Sequence, residues 1–217
     1  MAIRDLQSDD SKHVHKALSQ VSRFGFRKPE SVRDAVPNVV SHLDSSNPET
    51  CARACWAIGQ IGFRKPEWVR TTIPKLATLV QEDSAQVREK AIWALGRIGR
   101  ACPLLIEPYI PLIVSKANDT EPKVRLSTIW ACENIATERP EWFKDYIAVF
   151  IGLLDDPDAR YVRGEAPEFF RVIGKHCPQM VECAIPKLTE KLDDENRVVR
   201  IHAQGALKAI SKTGKQG

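Results

Sequence analysis

The chain has 217 residues, 43% of them hydrophobic and 28% charged, with a formal net charge of +4. Those proportions describe a chain that buries a core, and they argue against a disordered polyelectrolyte. No apolar run approaches the length of a membrane span, and Met1 to Asp10 lacks the apolar centre of a signal peptide. The positive excess is uneven, because residues 1–110 carry 16 Lys and Arg against 12 Asp and Glu while the remainder carries 16 of each. An acidic partner is therefore slightly favoured by the first half.

One phrase recurs along the chain. His13 to Gly25, Thr50 to Gly62, Val87 to Gly99, Val124 to Ala136, Val162 to Gly174 and Val199 to Ser211 follow one another at steps of 37 or 38 residues. A second phrase, G-F-R-K-P-E, occurs at Gly25–Glu30 and again at Gly62–Glu67. A fixed period of this size is the signature of a repeat architecture, whose core grows along an axis. The spacing predicts an all-α, right-handed α-solenoid of about six helical hairpins in one domain over 1–217. The helix pairs are expected at about 1–25, 29–62, 66–99, 103–136, 140–174 and 178–211.

In chain order, each hairpin begins with a helix A that opens on or near Pro-Glu and carries an apolar-Pro step in its middle. The steps are Val36-Pro37, Ile73-Pro74, Ile110-Pro111 and Ile185-Pro186, with Ile147-Ala148 as the exception. The inner Pro must kink the helix or divide it. The chain is expected to begin part-way through such a helix, with Ile3 and Leu6 aligned to Val40 and Leu43. Acidic turns follow at Asp44-Ser45, Glu82-Asp83, Asn118-Asp119, Asp155-Asp156 and Asp193-Asp194, which suit N-capping of helix B. Gly25, Gly62, Gly99 and Gly174 stand at the end of helix B, where a positive φ is usually wanted.

Columns across the repeats sort core from surface. Ala17, Ala54, Ala91, Thr128, Ala166 and Ala203 are always small, as close helix approach requires. Phe24, Ile61, Ile98, Ile135, Ile173 and Ile210 are always apolar and belong to the core. Trp68 and Trp142 share a column of large, mostly apolar residues and read as structural. The six cysteines complete no metal-ligand pattern and read as free, mostly buried thiols, which fits a reducing cytoplasm.

Helix pairs with this Pro step and V-R-x-x-A-x-x-A-L-G-x-I-G resemble HEAT repeats, in particular the short HEAT-like type of phycobilin lyases. The resemblance spans roughly residues 11–211 and implies that the B helices line a concave binding surface. It also implies an Asp–Arg ladder between successive turns, with Arg88, Arg125, Arg163 and Arg200 at its position. Val14 and Cys51 depart from that ladder, so apolar packing must join the first two units.

The column Ser19, Trp56, Trp93, Trp130, Glu168, Gly205 mixes residues that no single core site accepts, which predicts exposure on helix B. Trp56, Trp93 and Trp130 are candidate partner contacts, and the alternative is that the indoles pack on one another and stiffen the array. Lys16, Arg23, Arg53, Lys90 and Arg97 flank them, while Glu165 and Glu168 make the same face acidic further along. The expected function is a non-enzymatic scaffold that holds a protein or peptide, preferably acidic, without cofactor or metal. The alternative is a nucleic-acid-binding protein distantly similar to HEAT-like DNA alkylation-repair proteins. That reading uses the basic half of the groove and a loop line of Arg27, Lys28, Arg64, Lys65, Arg100, Lys175 and His176. No phosphate-binding loop, nucleophile elbow or His-Glu metal pair appears.

Overall fold

The computed structural model describes residues 3–213. All regular structure among them is helical, and it falls into two compact units, Met1–Leu112 and Ile113–Gly217.

Unit 1 begins with α1 (Ile3–Leu6), whose Leu6 is buried as Leu43 is one repeat later. The side chain of Ile3, its expected companion, lies outside the described residues. Next come α2 (Ser11–Arg27), α3 (Val36–Ser41) and α4 (Pro48–Arg64). Then follow α5 (Pro66–Val69), α6 (Ile73–Leu79) and α7 (Ala85–Ala101). The division between the units falls inside α8 (Ile110–Ser115). Unit 2 contains α9 (Pro122–Ala136), α10 (Ile147–Leu153), α11 (Val162–Gly174), α12 (Ile185–Glu190) and α13 (Arg197–Thr213).

The long helices α2, α4, α7, α9, α11 and α13 are the predicted B helices. Within unit 1, α4 packs between α2 and α7, and within unit 2, α11 packs between α9 and α13. Every member of the small column from Ala17 to Ala203 is buried, as is the apolar column from Ile61 to Ile210; Phe24, at the edge, is half-buried. The A helices are divided as the Pro steps predict, into a 3-10 or short α piece followed by a helix that starts on the residue before Pro. Ile147 starts α10 in the same way with Ala148 behind it, so the division belongs to the repeat packing and does not depend on Pro.

Two expectations about local chemistry need correction. Among the described residues no glycine has a positive φ, so Gly25, Gly62, Gly99 and Gly174 are not left-handed caps. Gly25, Gly62 and Gly99 lie inside helices that run on past them, and Gly174 is the last residue of α11. Close approach explains three of them. A Cβ on Gly25 would meet Ile61 Cγ1 at 2.6 Å, one on Gly62 would meet Ile98 Cγ1 at 2.5 Å, and one on Gly174 would meet Ile210 Cγ1 at 2.8 Å. Each of these glycines makes room for the isoleucine of the next repeat's B helix.

The acidic turns also act differently from caps. Asp10 and Asn47 cap α2 and α4 with their side chains, and Asn196 accepts from Val198 N–H at the start of α13. Asp44, Asp119 and Asp156 sit two or more positions before the caps of α4, α9 and α11, and Asp83 sits directly before Ser84, the cap of α7. Asp119, Asp156 and Asp194 each accept from the backbone N–H two residues on, which folds the turn. Asp156 and Asp194 also accept an arginine of the preceding repeat. Arg125 Nε and Nη2 donate to Asp156 at 2.7 and 2.8 Å, and Arg163 Nε donates to Asp194 at 2.9 Å. Two of the residues read as caps, Asp156 and Asp194, are thus acceptors of the ladder.

Of the six cysteines, Cys51, Cys55 and Cys132 are buried, Cys102 and Cys177 are half-buried and Cys183 is exposed; all are free thiols. Trp68 and Trp142 are half-buried, each with an arginine over its ring.

Candidate functional site

The face of α4 and α7 in unit 1 holds the most developed site. Trp56 and Trp93 stand 37 residues apart at one position of two adjacent helices, so the repeat sets their indoles together. They stack with ring centroids 3.7 Å apart and planes inclined by 18°. The stack is possible because α4 carries Gly59 beneath it, where a Cβ would lie 2.7 Å from Trp93 Cζ3. Both indoles are half-buried in consequence, and the predicted open row is here a packed pair.

Trp56 forms one wall of a cavity of about 350 Å³ that also touches Leu18, Ser19, Ser22, Arg53, Gln86 and Lys90. Trp93 does not line it. Arg53 Nη1 donates to Ser19 Oγ across the α2–α4 seam at 3.1 Å, and its Nε and Nη2 hold Glu49 Oε1 at 3.0 and 2.8 Å. That bond, outweighing partial burial, and then the charge of His15, lower the Glu49 carboxyl from its ordinary range. Lys90 Nζ bonds Glu89 at 2.6 Å and lies 5.1 Å from the Trp56 ring centroid. The cavity therefore has an aromatic wall, a hydroxyl side and two cations already shared with carboxylates.

Arg97 leaves this cavity. Its guanidinium carbon lies 3.7 Å from the Phe63 ring centroid and 5.5 Å from those of Phe26 and Trp93. Its Nε is buried without a hydrogen-bond partner, and burial, followed by the charge of Arg100, lowers its pKa. The sequence reading did not name Phe26 and Phe63, although the repeated G-F-R-K-P-E phrase carries both. Lys16 and Arg23 are exposed. Of the basic loop line, Arg64, Lys65 and Arg100 edge a shallow cavity of about 540 Å³, with Lys65 held by Glu30 at 2.8 Å.

In unit 2, Trp130 on α9 is exposed over 37% of its surface. Glu168 on α11, at the column position of the other tryptophans, contacts Arg171, whose Nε donates to it at 2.6 Å. Glu165 is half-buried. The group that column reading passed over is Glu133, half-buried with its Oε1 closed to solvent, one turn beyond Trp130, in the column where unit 1 has Ser22, Gly59 and Gly96. A carboxyl among glycines was the available signal.

The ladder arginines serve the turns. Arg88 and Arg200, like Arg125 and Arg163, donate Nη1 to main-chain carbonyls of the turn before their own helix. In the first two repeats, where Val14 and Cys51 replace arginine, His15 Nε2 meets Thr50 Oγ1 at 2.8 Å and Cys51 donates to Leu43 O. Among the described residues no set of His, Cys, Asp and Glu could hold a metal ion, and no helix is long and apolar enough to cross a membrane.

Stacked helical hairpins with small-residue seams and an arginine ladder define an all-α repeat fold of the kind typical of protein-interaction scaffolds. The family described as HEAT repeats matches residues 36–109 and 73–171, more than half of the chain, and the protein belongs to that family. No curated protein matches it in sequence. Solved structures of similar fold include a designed armadillo repeat protein in complex with the peptide (KR)4, at 24% identity and a TM-score of 0.78, covering 96% of this chain and 97% of that one. An engineered protein from a structural genomics consortium is 22% identical with a TM-score of 0.76, covering 98% and 95%. A computationally designed armadillo repeat protein for modular peptide recognition is 22% identical with a TM-score of 0.71, covering 95% and 97%.

Proposed function

We propose that this protein is a non-enzymatic scaffold that seats a segment of a partner protein against the α4–α7 face of unit 1. The observation that carries the reading is the cavity walled by Trp56 and flanked by Arg53 and Lys90. Trp56 offers an apolar face to the partner, while Trp93, stacked behind it, holds that face at a fixed angle. Arg53 and Lys90 direct an acidic group of the partner, which replaces Glu49 and Glu89 as their acceptor. A peptide as the kind of partner is also supported by the designed neighbour that holds one.

Mutation separates the roles. Trp56→Ala removes the wall of the cavity and weakens partner capture strongly, whereas Trp93→Phe keeps a ring behind Trp56 and weakens it little. Equal loss in the two variants, or retention in Trp56→Ala, removes the reading. Salt separates it from the nucleic-acid alternative. A bound nucleic acid loses affinity by roughly 0.7–0.9 log units per neutralised phosphate for each tenfold rise in salt. A segment anchored on Trp56 loses far less, because buried apolar contact is not screened.

A further inference from the structure

Unit 2 contains a half-buried carboxyl, one oxygen of which its own repeat does not satisfy. Glu133 is carried by α9, and its Oε1 is closed to solvent with no hydrogen-bond partner. Glu165 and Glu168 on the neighbouring α11 act on it as like charges. Among the described residues Arg171 alone opposes them, and Arg171 is committed to Glu168, which it grips through Nε and Nη2. The Glu165 side chain has no hydrogen bond or ion pair among the described residues. The corner therefore holds three carboxyls and one guanidinium, with one carboxylate free and one carboxyl oxygen unpartnered.

A buried carboxyl oxygen without a donor costs stability, and a helix seam has simpler fillings. Unit 1 uses them, placing Ser22, Gly59 and Gly96 at the same column position. What the corner lacks is a positive charge that donates hydrogen bonds. One turn before Glu133, Trp130 leaves its indole exposed, a surface on which a cation is attracted by the ring. Arginine suits both demands, since its planar guanidinium stacks on aromatic faces and donates to carboxylates in a fork.

We propose that Glu133, Glu165 and Trp130 form a binding site for an arginine side chain of a partner peptide. The guanidinium stacks on Trp130 and donates to the carboxylates of Glu165 and Glu133, leaving Glu168 with Arg171. Burial first, and then the charges of Glu165 and Glu168, hold the Glu133 carboxyl well above the ordinary glutamate range, which favours its protonated form in the empty site. An arriving cation reverses that balance, and Glu133 gives up its proton to solvent as the ion pair forms. No charge is created inside the site without its counter-charge. The site extends the scaffold reading to a second surface of opposite sign, and it uses none of the unit 1 residues.

The test is calorimetric titration of the full chain with acetylated, amidated tetra-arginine, at pH 6 and pH 8, in buffers of different ionisation enthalpy. Tetra-glutamate serves as the charge control. The expected result is saturable binding of tetra-arginine alone, tighter at pH 8, with release of a proton and a slope of up to about tenfold per pH unit. Glu133→Gln keeps the shape of the side chain but abolishes the proton release and flattens the pH dependence. Glu165→Gln weakens binding about tenfold while proton release persists. Trp56→Ala leaves the titration unchanged, so loss of the unit 1 reading and loss of this one are told apart. Absence of saturable binding overturns the proposal, as does proton release that survives in Glu133→Gln or affinity that neither glutamine variant alters.

Discussion

The two units build the same helix seams from different chemistry. In unit 1 the seam between α4 and α7 is closed by the Trp56–Trp93 stack over Gly59, and the ladder position of its first two repeats holds Val14 and Cys51. In unit 2 the ladder is ionic, with Arg125 on Asp156 and Arg163 on Asp194, and Glu133 stands where unit 1 has glycine. A repeat backbone thus tolerates apolar or charged closure of one interface, provided each polar group finds a partner. Glu133 Oε1 leaves that condition unmet in unit 2, as Gln60 Oε1 and Arg97 Nε do in unit 1. Stability of the unit 2 seams should depend on pH and charge, and stability of the unit 1 seam on volume.

The largest break in that comparison comes from Asp156→Ala. It strands Arg125, whose side chain is 11% exposed, and removes the acceptor for Asp158 N–H. The expected loss is roughly 3–5 kcal/mol by urea denaturation, the range for one partner removed from a buried ion pair. A variant as stable as wild type would make the ladder ornamental. Next is Gly62→Ala, whose Cβ would enter within 2.5 Å of Ile98 Cγ1 and 2.8 Å of Val69 Cγ2. Overpacking of this kind costs about 1–3 kcal/mol. Gly152, with nothing within 4 Å of its Cβ position, is the control at which alanine is tolerated.

Smaller still is the coupling within the indole pair. A double-mutant cycle of Trp56→Ala and Trp93→Ala should return a coupling of about 0.5–1.5 kcal/mol beyond area burial. Zero coupling would mean the rings merely share a neighbourhood. The pH response of Glu133 sharpens the contrast from the other side. Its folded pKa lies above the ordinary glutamate value of 4.5, so its contribution to stability is fully present below that value and is lost as pH rises through the raised one. Glu133→Gln does not titrate, so its melting temperature should match wild type near pH 4 and exceed it increasingly towards pH 8. Asp155 gives the opposite sign. Hydrogen bonds from Lys187 and then Lys191 lower its pKa, so its contribution is present above the ordinary aspartate range and fades as acid protonates it.

The repeat itself was legible from the sequence because a period of 37 records directly which residues share a column. Those columns separated the buried small and apolar positions from the mixed Trp column without reference to any contact. They did not show that Gly25, Gly62 and Gly174 answer to the isoleucine of the next repeat, because that requirement is a distance between helices. Nor did they show that Trp56 and Trp93 face each other rather than solvent, or that Arg97 turns onto Phe63, since one column position permits several side-chain directions. Composition and period determined helices, hairpins and seams, because burial pattern is a local property of the chain. Only tertiary structure decided which indole walls a cavity and which carboxyl is left without a partner, because both depend on what the neighbouring helix places opposite.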